Sequence, residues 1–316
     1  MWTVVACLVP PLVLSVFIFG IQTLIITAVS VVSCVAVEAA TQKALGRRIT
    51  VWDGSAVITG MLIAFVIPPG VSPLLPVLGA VMAIAIGKHL LGGIGYNIFN
   101  PALLGRAFLL ATFPVAMTSA WLPPLHDMAV FSYLGQGVNA VTTATPLAVL
   151  KNQGMAAFTE QFGALSNVYT NFFLGWRPGS IGETSGLLIV LGGLYLLYRG
   201  YITWHIPVSV LGSIALLTWL FGGEGLFHGD PLLAVLSGGA LLGAFFMAND
   251  YVTCPTNRTS QLIYGCGIGA LTVLIRLKGG YPEGICYAIL LMNPVSPVLD
   301  NWFKPVRFAP PQGGAQ

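Results

Sequence analysis

Few residues in this chain are of types that do chemistry. The densest run of hydroxyl side chains is NAVTTATPLAVLK at 139–151, where Thr142, Thr143 and Thr145 crowd in front of Pro146 and an apolar run follows. A threonine hydroxyl with no base beside it is a poor nucleophile, so this is not a hydrolytic centre. Taken alone, the string reads as a Thr-rich turn or a helix N-cap with Pro at the first helical position. A second polar string, PGSIGETS at 178–185, sets Ser180, Glu183 and Thr184 at the start of an apolar segment. A carboxylate there gains about 0.3–1 kcal/mol from the helix dipole. The other ionisable groups at or near apolar segments are Glu38, Asp53, Lys88, His89, Arg106, His205, Asp250 and Arg276. Most sit near segment ends, where snorkelling accounts for them. Arg106 lies well inside its segment and needs a partner, either an Asp or Glu or the carbonyls of a broken helix.

Other chemistries are excluded or left without support. Cys7, Cys34, Cys254, Cys266 and Cys286 are scattered with no CxxC pair, so they do not make a self-contained zinc or iron–sulfur site. They read as small apolar packing residues, and a site shared with another subunit stays open. GCGIG at 265–269 has no preceding strand and no third spaced glycine, so it is helix packing and not a dinucleotide fingerprint. No Walker motif occurs.

The elements that position these residues follow from composition. Of 316 residues, 56% are hydrophobic and only 7% are charged, against about 25% in a soluble domain; mean hydropathy is +0.86. That excludes a soluble enzyme, a disordered protein and a nucleic-acid binder, and a net charge of +3 implies no anionic partner. The apolar runs are long and continuous, unlike the alternating segments of about 10 residues in a membrane barrel. The expectation is an all-α integral membrane protein in contact with the lipid bilayer. Ten apolar segments are read at 2–19, 21–41, 53–68, 71–92, 98–118, 181–199, 202–221, 231–249, 260–276 and 282–299. The first has neither a basic leader nor an A-x-A site, so it reads as a span and not a cleaved signal.

Loop charge orients the chain. The side of the N-terminus carries Lys43, Arg47, Arg48, Lys88, Arg199, Arg258, Lys304 and Arg307, and the opposite side carries Lys151, Arg177, Arg276 and Lys278. The positive-inside rule makes both termini cytoplasmic and the 119–180 connection extracytoplasmic. The stretch from Asp53 (DGSAVITGMLIAFVIPPGVSP) resembles that from Asp230 (DPLLAVLSGGALLGAFFMANDYVTCP). GKHLLGGIGYN at 87–97 likewise resembles LIRLKGGYPEG at 274–284. Five spans per half turn the second copy upside down, as in inverted-repeat transporters. The expected organisation is a first five-helix half at 1–118, an external loop at 119–180 and a second five-helix half at 181–316.

Five strings, in order across about residues 50–300, carry a family resemblance: GKHLLGGIGYNIFNPALLGRAFL (87–109), the Thr-rich string, PGSIGETS, FFMANDYVTCP (245–255) and GGYPEGICYAILLMN (279–293). With them the chain resembles the D-subunit family of the Rnf complex, a membrane-bound, ion-translocating ferredoxin:NAD+ oxidoreductase. More distantly, it is similar to the B-type component of the sodium-pumping NADH:quinone oxidoreductase. The resemblance implies FMN joined through its phosphate to a threonine, in a motif of roughly Asp-x-x-(Ser/Thr)-Gly-Ala-Thr. Thr142 takes the Ser/Thr place, Ala144 the Ala place and Thr145 the modified place; Asn139 stands where Asp is expected, and Thr143 where Gly is. It also implies that Ser180, Glu183 and Thr184 line the flavin pocket, adds a flavin phosphate to the choices for Arg106, and allows a second, non-covalent flavin such as riboflavin.

The implied function is that of a non-autonomous subunit passing electrons through covalent FMN, coupled to Na+ or H+ translocation across a bacterial or archaeal cytoplasmic membrane. Its implied partners are the other Rnf subunits (A, B, C, E and, above all, the flavin-bearing G), with a flavin transferase for maturation. A channel or carrier for a small polar solute suits an inverted repeat equally well. The Thr-rich string in a long external loop is the feature such a channel would not need.

Overall fold

The computed structural model describes residues 1–90, 92–125, 145–163, 165–223 and 225–303. Asn139, Thr142, Thr143 and Ala144 lie outside them. Among the described residues every regular element is helical: α1 (Trp2–Phe19), α2 (Gln22–Ala44), α3 (Ser55–Phe65), α4 (Leu74–Val81), α5 (Pro101–Thr112) and α6 (Pro114–Ser119) come first. The chain continues with α7 (Pro146–Phe162), α8 (Leu165–Leu174), α9 (Gly186–Tyr198), α10 (His205–Phe221) and α11 (Pro231–Leu236). It ends with α12 (Ala240–Leu242), α13 (Arg258–Lys278), α14 (Ile285–Met292) and α15 (Ser296–Trp302).

Of these, α1, α2 and α13 are long and apolar enough to cross a membrane, and α3, α4 with its continuation to His89, α5, α9 and α10 are shorter apolar helices. Only a third of the apolar stretch of α1, and of α2, is buried within the chain. Side chains such as Val32, Leu74 and Val115 stand more than half exposed, which fits a surface that meets lipid or neighbouring subunits.

The 119–180 connection, expected as a loop, carries α7 and α8. Elsewhere, segments expected as single spans are interrupted. Pro68 and Pro69 follow α3, where the missing N–H groups end the helix. The 231–249 segment breaks at Ser237–Gly239, where Gly238 and Gly239 take φ of 64° and 67°, a left-handed conformation that glycine adopts without strain. Two stretches wind as π-helix, Met82–His89 after α4 and Gly243–Met247 after α12; such bulges are frequent at functional sites.

Close approach of α10 and α13 explains the GCGIG string. A Cβ on Gly265 would lie 1.8 Å from Ser209 Oγ, and one on Gly269 would lie 1.8 Å from Ser213 Oγ. Small residues four apart on one helix face small residues four apart on the other, which lets two apolar backbones touch. Between α2 and α3, Gly60 does the same beside Val31, and its carbonyl accepts a 2.7 Å hydrogen bond from Ser30.

Candidate functional site

Thr145 sits immediately before α7 in an extended conformation (φ −67°, ψ 150°), with Pro146 at the first helical position. Its Oγ1 accepts from the Ala148 N–H at 3.3 Å. The N-cap expected from sequence is therefore what the backbone adopts. One side of the residue opens onto a cavity of about 320 Å³ that reaches from α5 and α6 to the α13–α14 turn.

The floor of this cavity is ionic and its wall aromatic. Arg106 Nη2 donates to Glu283 Oε2 in a buried ion pair. Tyr281 and Tyr287 stack with ring centroids 5.6 Å apart, and Trp121, Met117, Thr118, Asn152 and Cys286 also line it. Lys151, on the turns of α7 beyond Thr145, donates to the carbonyls of Gly279 (2.5 Å), Tyr281 (3.4 Å) and Ile275 (3.5 Å), so one cation docks α7 on the C-terminal end of α13. Burial lowers the pKa of this lysine from its ordinary value.

Arg276 braces the neighbouring break. Its Nε donates to Glu283 O (3.0 Å), its Nη1 to Ala234 O (2.6 Å) and its Nη2 to Ser237 O (3.0 Å). The carbonyls freed where α11 ends are thus satisfied by a side chain. Beyond this brace, Arg177 holds Glu183 O through Nη2 at 3.0 Å and stands 3.7 Å from the Glu183 carboxylate. Glu183 Oε1 has no hydrogen-bond partner among the described residues, and its carboxylate borders a small recess of about 10 Å³ beside Gly239.

Arg106 and Thr145 meet in the larger cavity, where Arg106 pairs with the Glu283 carboxylate. Ser180, Glu183 and Thr184 do not border that cavity. They are buried around the smaller recess and the turn before it, where Thr184 Oγ1 donates to Ile181 O at 3.2 Å. Sequence reading missed Glu283, Tyr281, Tyr287 and Lys151. The first three stand in the string GGYPEGICY, where a glutamate beside two tyrosines in an apolar segment was the available signal.

For FMN held through its phosphate, the residues fit on three counts. A hydroxyl stands at a helix N-terminus, where backbone N–H groups and the dipole favour an anion. Arg106 Nε is buried without a hydrogen-bond partner among the described residues. The cavity is within the range of about 300–1,000 Å³ found for ligand sites, with aromatic walls and few polar groups. Elsewhere, Lys88 does not snorkel as expected: it is 3% exposed and paired with Glu38 at 2.6 Å. Among the described residues no cluster of His, Cys, Asp and Glu is arranged to hold a metal ion.

Comparison with known proteins gives a consistent match. The profile of the NQR2, RnfD, RnfE family matches residues 1–309. The chain is 49% identical, over 98% of its length and 90% of the relative's, to the D component of the proton-translocating ferredoxin:NAD(+) oxidoreductase complex of Clostridium ljungdahlii. It is 44% identical, over 96% and 88%, to the D component of the Na(+)-translocating ferredoxin:NAD(+) oxidoreductase complex of Acetobacterium woodii. It is 37% identical, over 96% and 92%, to the D component of the ion-translocating oxidoreductase complex of Pectobacterium atrosepticum.

Proposed function

The chain belongs to the NQR2, RnfD, RnfE family, and on that premise we propose that it is the D-type membrane subunit of an ion-translocating ferredoxin:NAD+ oxidoreductase, with FMN esterified to Thr145. The observation that carries the flavin assignment is the opening of Thr145 onto the Arg106–Glu283 cavity. When bound, the flavin would supply the exchange of electrons with neighbouring carriers. The chain's own part is positional. Pro146 and the capped start of α7 hold the anchoring oxygen, Lys151 fixes α7 to the rest of the bundle, and the stacked tyrosines offer a flat apolar wall. Arg106 keeps positive charge at the floor, where an anion or electron density is stabilised.

The ten-span inverted repeat is supported by a matching feature in the two halves. The third span of each half starts at an aspartate, Asp53 and Asp230, whose side chain accepts from the backbone N–H two residues on, that of Ser55 and that of Leu232. Loop charge supports cytoplasmic termini and an extracytoplasmic flavin. The partner Rnf subunits (A, B, C, E and G) would handle ferredoxin and NAD, because 7% charged residues cannot clothe a soluble catalytic domain in this chain; the G-type partner would be the electron-transfer neighbour.

The test is co-expression with a flavin transferase followed by a denaturing gel viewed under ultraviolet light. The wild-type band fluoresces and Thr145→Val does not. A dark wild-type band, with the transferase active on another target, overturns the assignment.

A further inference from the structure

The cavity beside Thr145 has more charge at its floor than an apolar seat for a ring needs. Among the described residues, Arg106 and Glu283 are the two charged side chains that line it. They are 6% and 8% exposed and paired with each other. The rest of the lining is aromatic, aliphatic or neutral polar. Lys151 and Arg276 do not line it, and donate to backbone carbonyls instead.

As a lock between α5 and the start of α14, the pair is an expensive choice. A buried ion pair is often no more stabilising than apolar side chains of the same volume. Arg106 Nε is also left without a hydrogen-bond partner among the described residues. The carboxylate is nevertheless fixed from behind. The Glu283 carbonyl accepts from Arg276 Nε at 3.0 Å and from the Ile285 N–H at 3.0 Å. Two residues earlier, the Tyr281 carbonyl accepts from Lys151 at 3.4 Å. Gly284, with φ of 77°, then turns the chain directly into α14. Charges held in this way need no reorganisation when a new charge arrives beside them, so they act on it at full strength.

We propose that the Arg106–Glu283 pair sets the reduction potential of the flavin in this cavity, with Arg106 raising it and Glu283 holding it down. The proposal rests on the reading that FMN is esterified to Thr145. Adding an electron to the isoalloxazine puts negative charge into a buried space, where a nearby unit charge acts far more strongly than in water. Arg106 alone would hold that electron too tightly for it to pass on, and Glu283 offsets the excess. The electron comes from one neighbouring carrier of the complex and leaves to the next. No bond in this chain is made or broken, and both side chains keep their charges.

The test uses the full chain, flavinylated by a co-expressed transferase and purified in detergent, with flavin absorbance titrated against electrode potential. Thr145→Val, prepared alike, is the blank for any flavin that is not covalently attached. Glu283→Gln raises the midpoint and Arg106→Gln lowers it. Each shift is about tenfold or more in the equilibrium constant for electron uptake, or about 59 mV for one electron. Arg106→Lys stays near wild type. The double variant Arg106→Gln/Glu283→Gln returns most of the way, because the net charge at the floor is restored. A pair that only braced the cavity would loosen in either single variant and move both midpoints in the same direction. If one single variant fails to fold, the other decides, read against the double. Unmoved midpoints, or shifts of the same sign, in proteins whose bands still fluoresce overturn the proposal alone. A dark wild-type band overturns the flavin assignment and the proposal with it.

Discussion

Arg106 and Glu283, 177 residues apart in the chain, form a buried ion pair at the floor of the cavity onto which Thr145 opens. Each comes from a different half of the molecule, and the pair joins α5 to the start of α14 at the point where the backbone turns after Pro282. A charge left alone in this place is far more costly than the pair is stabilising.

Glu283→Gln or Arg106→Gln is therefore expected to destabilise the protein by about 3–5 kcal/mol, while the double replacement Arg106→Met/Glu283→Leu costs clearly less. Thermal unfolding in detergent gives the comparison. If the double variant loses as much as the sum of the singles, the two residues are not coupled.

The anchoring role of Thr145 separates from its capping role by choice of substituent. Thr145→Ser retains a hydroxyl for both and keeps the fluorescent band. Thr145→Val loses the band and also about 1 kcal/mol of cap stabilisation. Thr142→Val and Thr143→Val leave the band in place. Fluorescence that survives in Thr145→Val would move the attachment point to another hydroxyl of the string.

How much of this was legible in the sequence depended on the range of the interaction. The cap at Thr145 was readable because it is local: a hydroxyl, then Pro, then an apolar run. The packing role of Gly265 and Gly269 was readable for the same reason, although their Ser209 and Ser213 partners were not. Arg106 stood out by depth alone, but its partner had to come from a residue 177 positions away, and no spacing rule reaches that far. Ser180, Glu183 and Thr184 were expected beside the flavin. Arg276, reading as one of many segment-end cations, braces the 237–239 turn through Ser237 O. Lys88 was misread as snorkelling because Glu38 lies on a different helix.

Packing of α10 on α13 leaves no room for added volume. Gly265→Ala drives a Cβ into Ser209 Oγ, and overpacking of this kind costs about 1–3 kcal/mol. Ser209→Gly should recover part of that loss in the double variant, measured again by thermal unfolding. A Gly265→Ala protein as stable as wild type would mean that the two helices sit farther apart than described.

Alkaline pH tests the contact between α8 and α11. Tyr169 donates to Asp230 Oδ2 at 2.5 Å, while Asp230 Oδ1 caps α11. The hydrogen bond to Asp230 pushes the tyrosine pKa up to about 12. Because the folded value lies above the unfolded one, the contact contributes fully below pH of about 10 and is lost as pH rises through about 12. Ultraviolet titration should show one late-titrating tyrosine fewer in Tyr169→Phe than in wild type. If the two titration curves superimpose at high pH, the bond does not form in solution.

Lys151 is the residue whose loss should loosen the helix that begins at Thr145. Its ammonium reaches the carbonyls of Gly279 and Tyr281, just past the end of α13, and shares that of Ile275 with the capping Gly279 N–H. Lys151→Met keeps the length of the side chain and its apolar stem but removes all three bonds. Each hydrogen bond to a charged group is worth about 1.5–3 kcal/mol, but water replaces part of that at a half-buried site. The expected result is faster amide hydrogen exchange in α7 and in the 279–281 turn, with α2 and α10 unchanged. Lys151→Arg, which still donates, should protect α7 nearly as well as wild type. Because Tyr281 lines the cavity, a flavin bound there would also become more mobile, seen as lower fluorescence anisotropy of the Lys151→Met protein. Unchanged exchange in α7 would mean that the helix is held by apolar contacts alone, and that Lys151 only fills the end of α13.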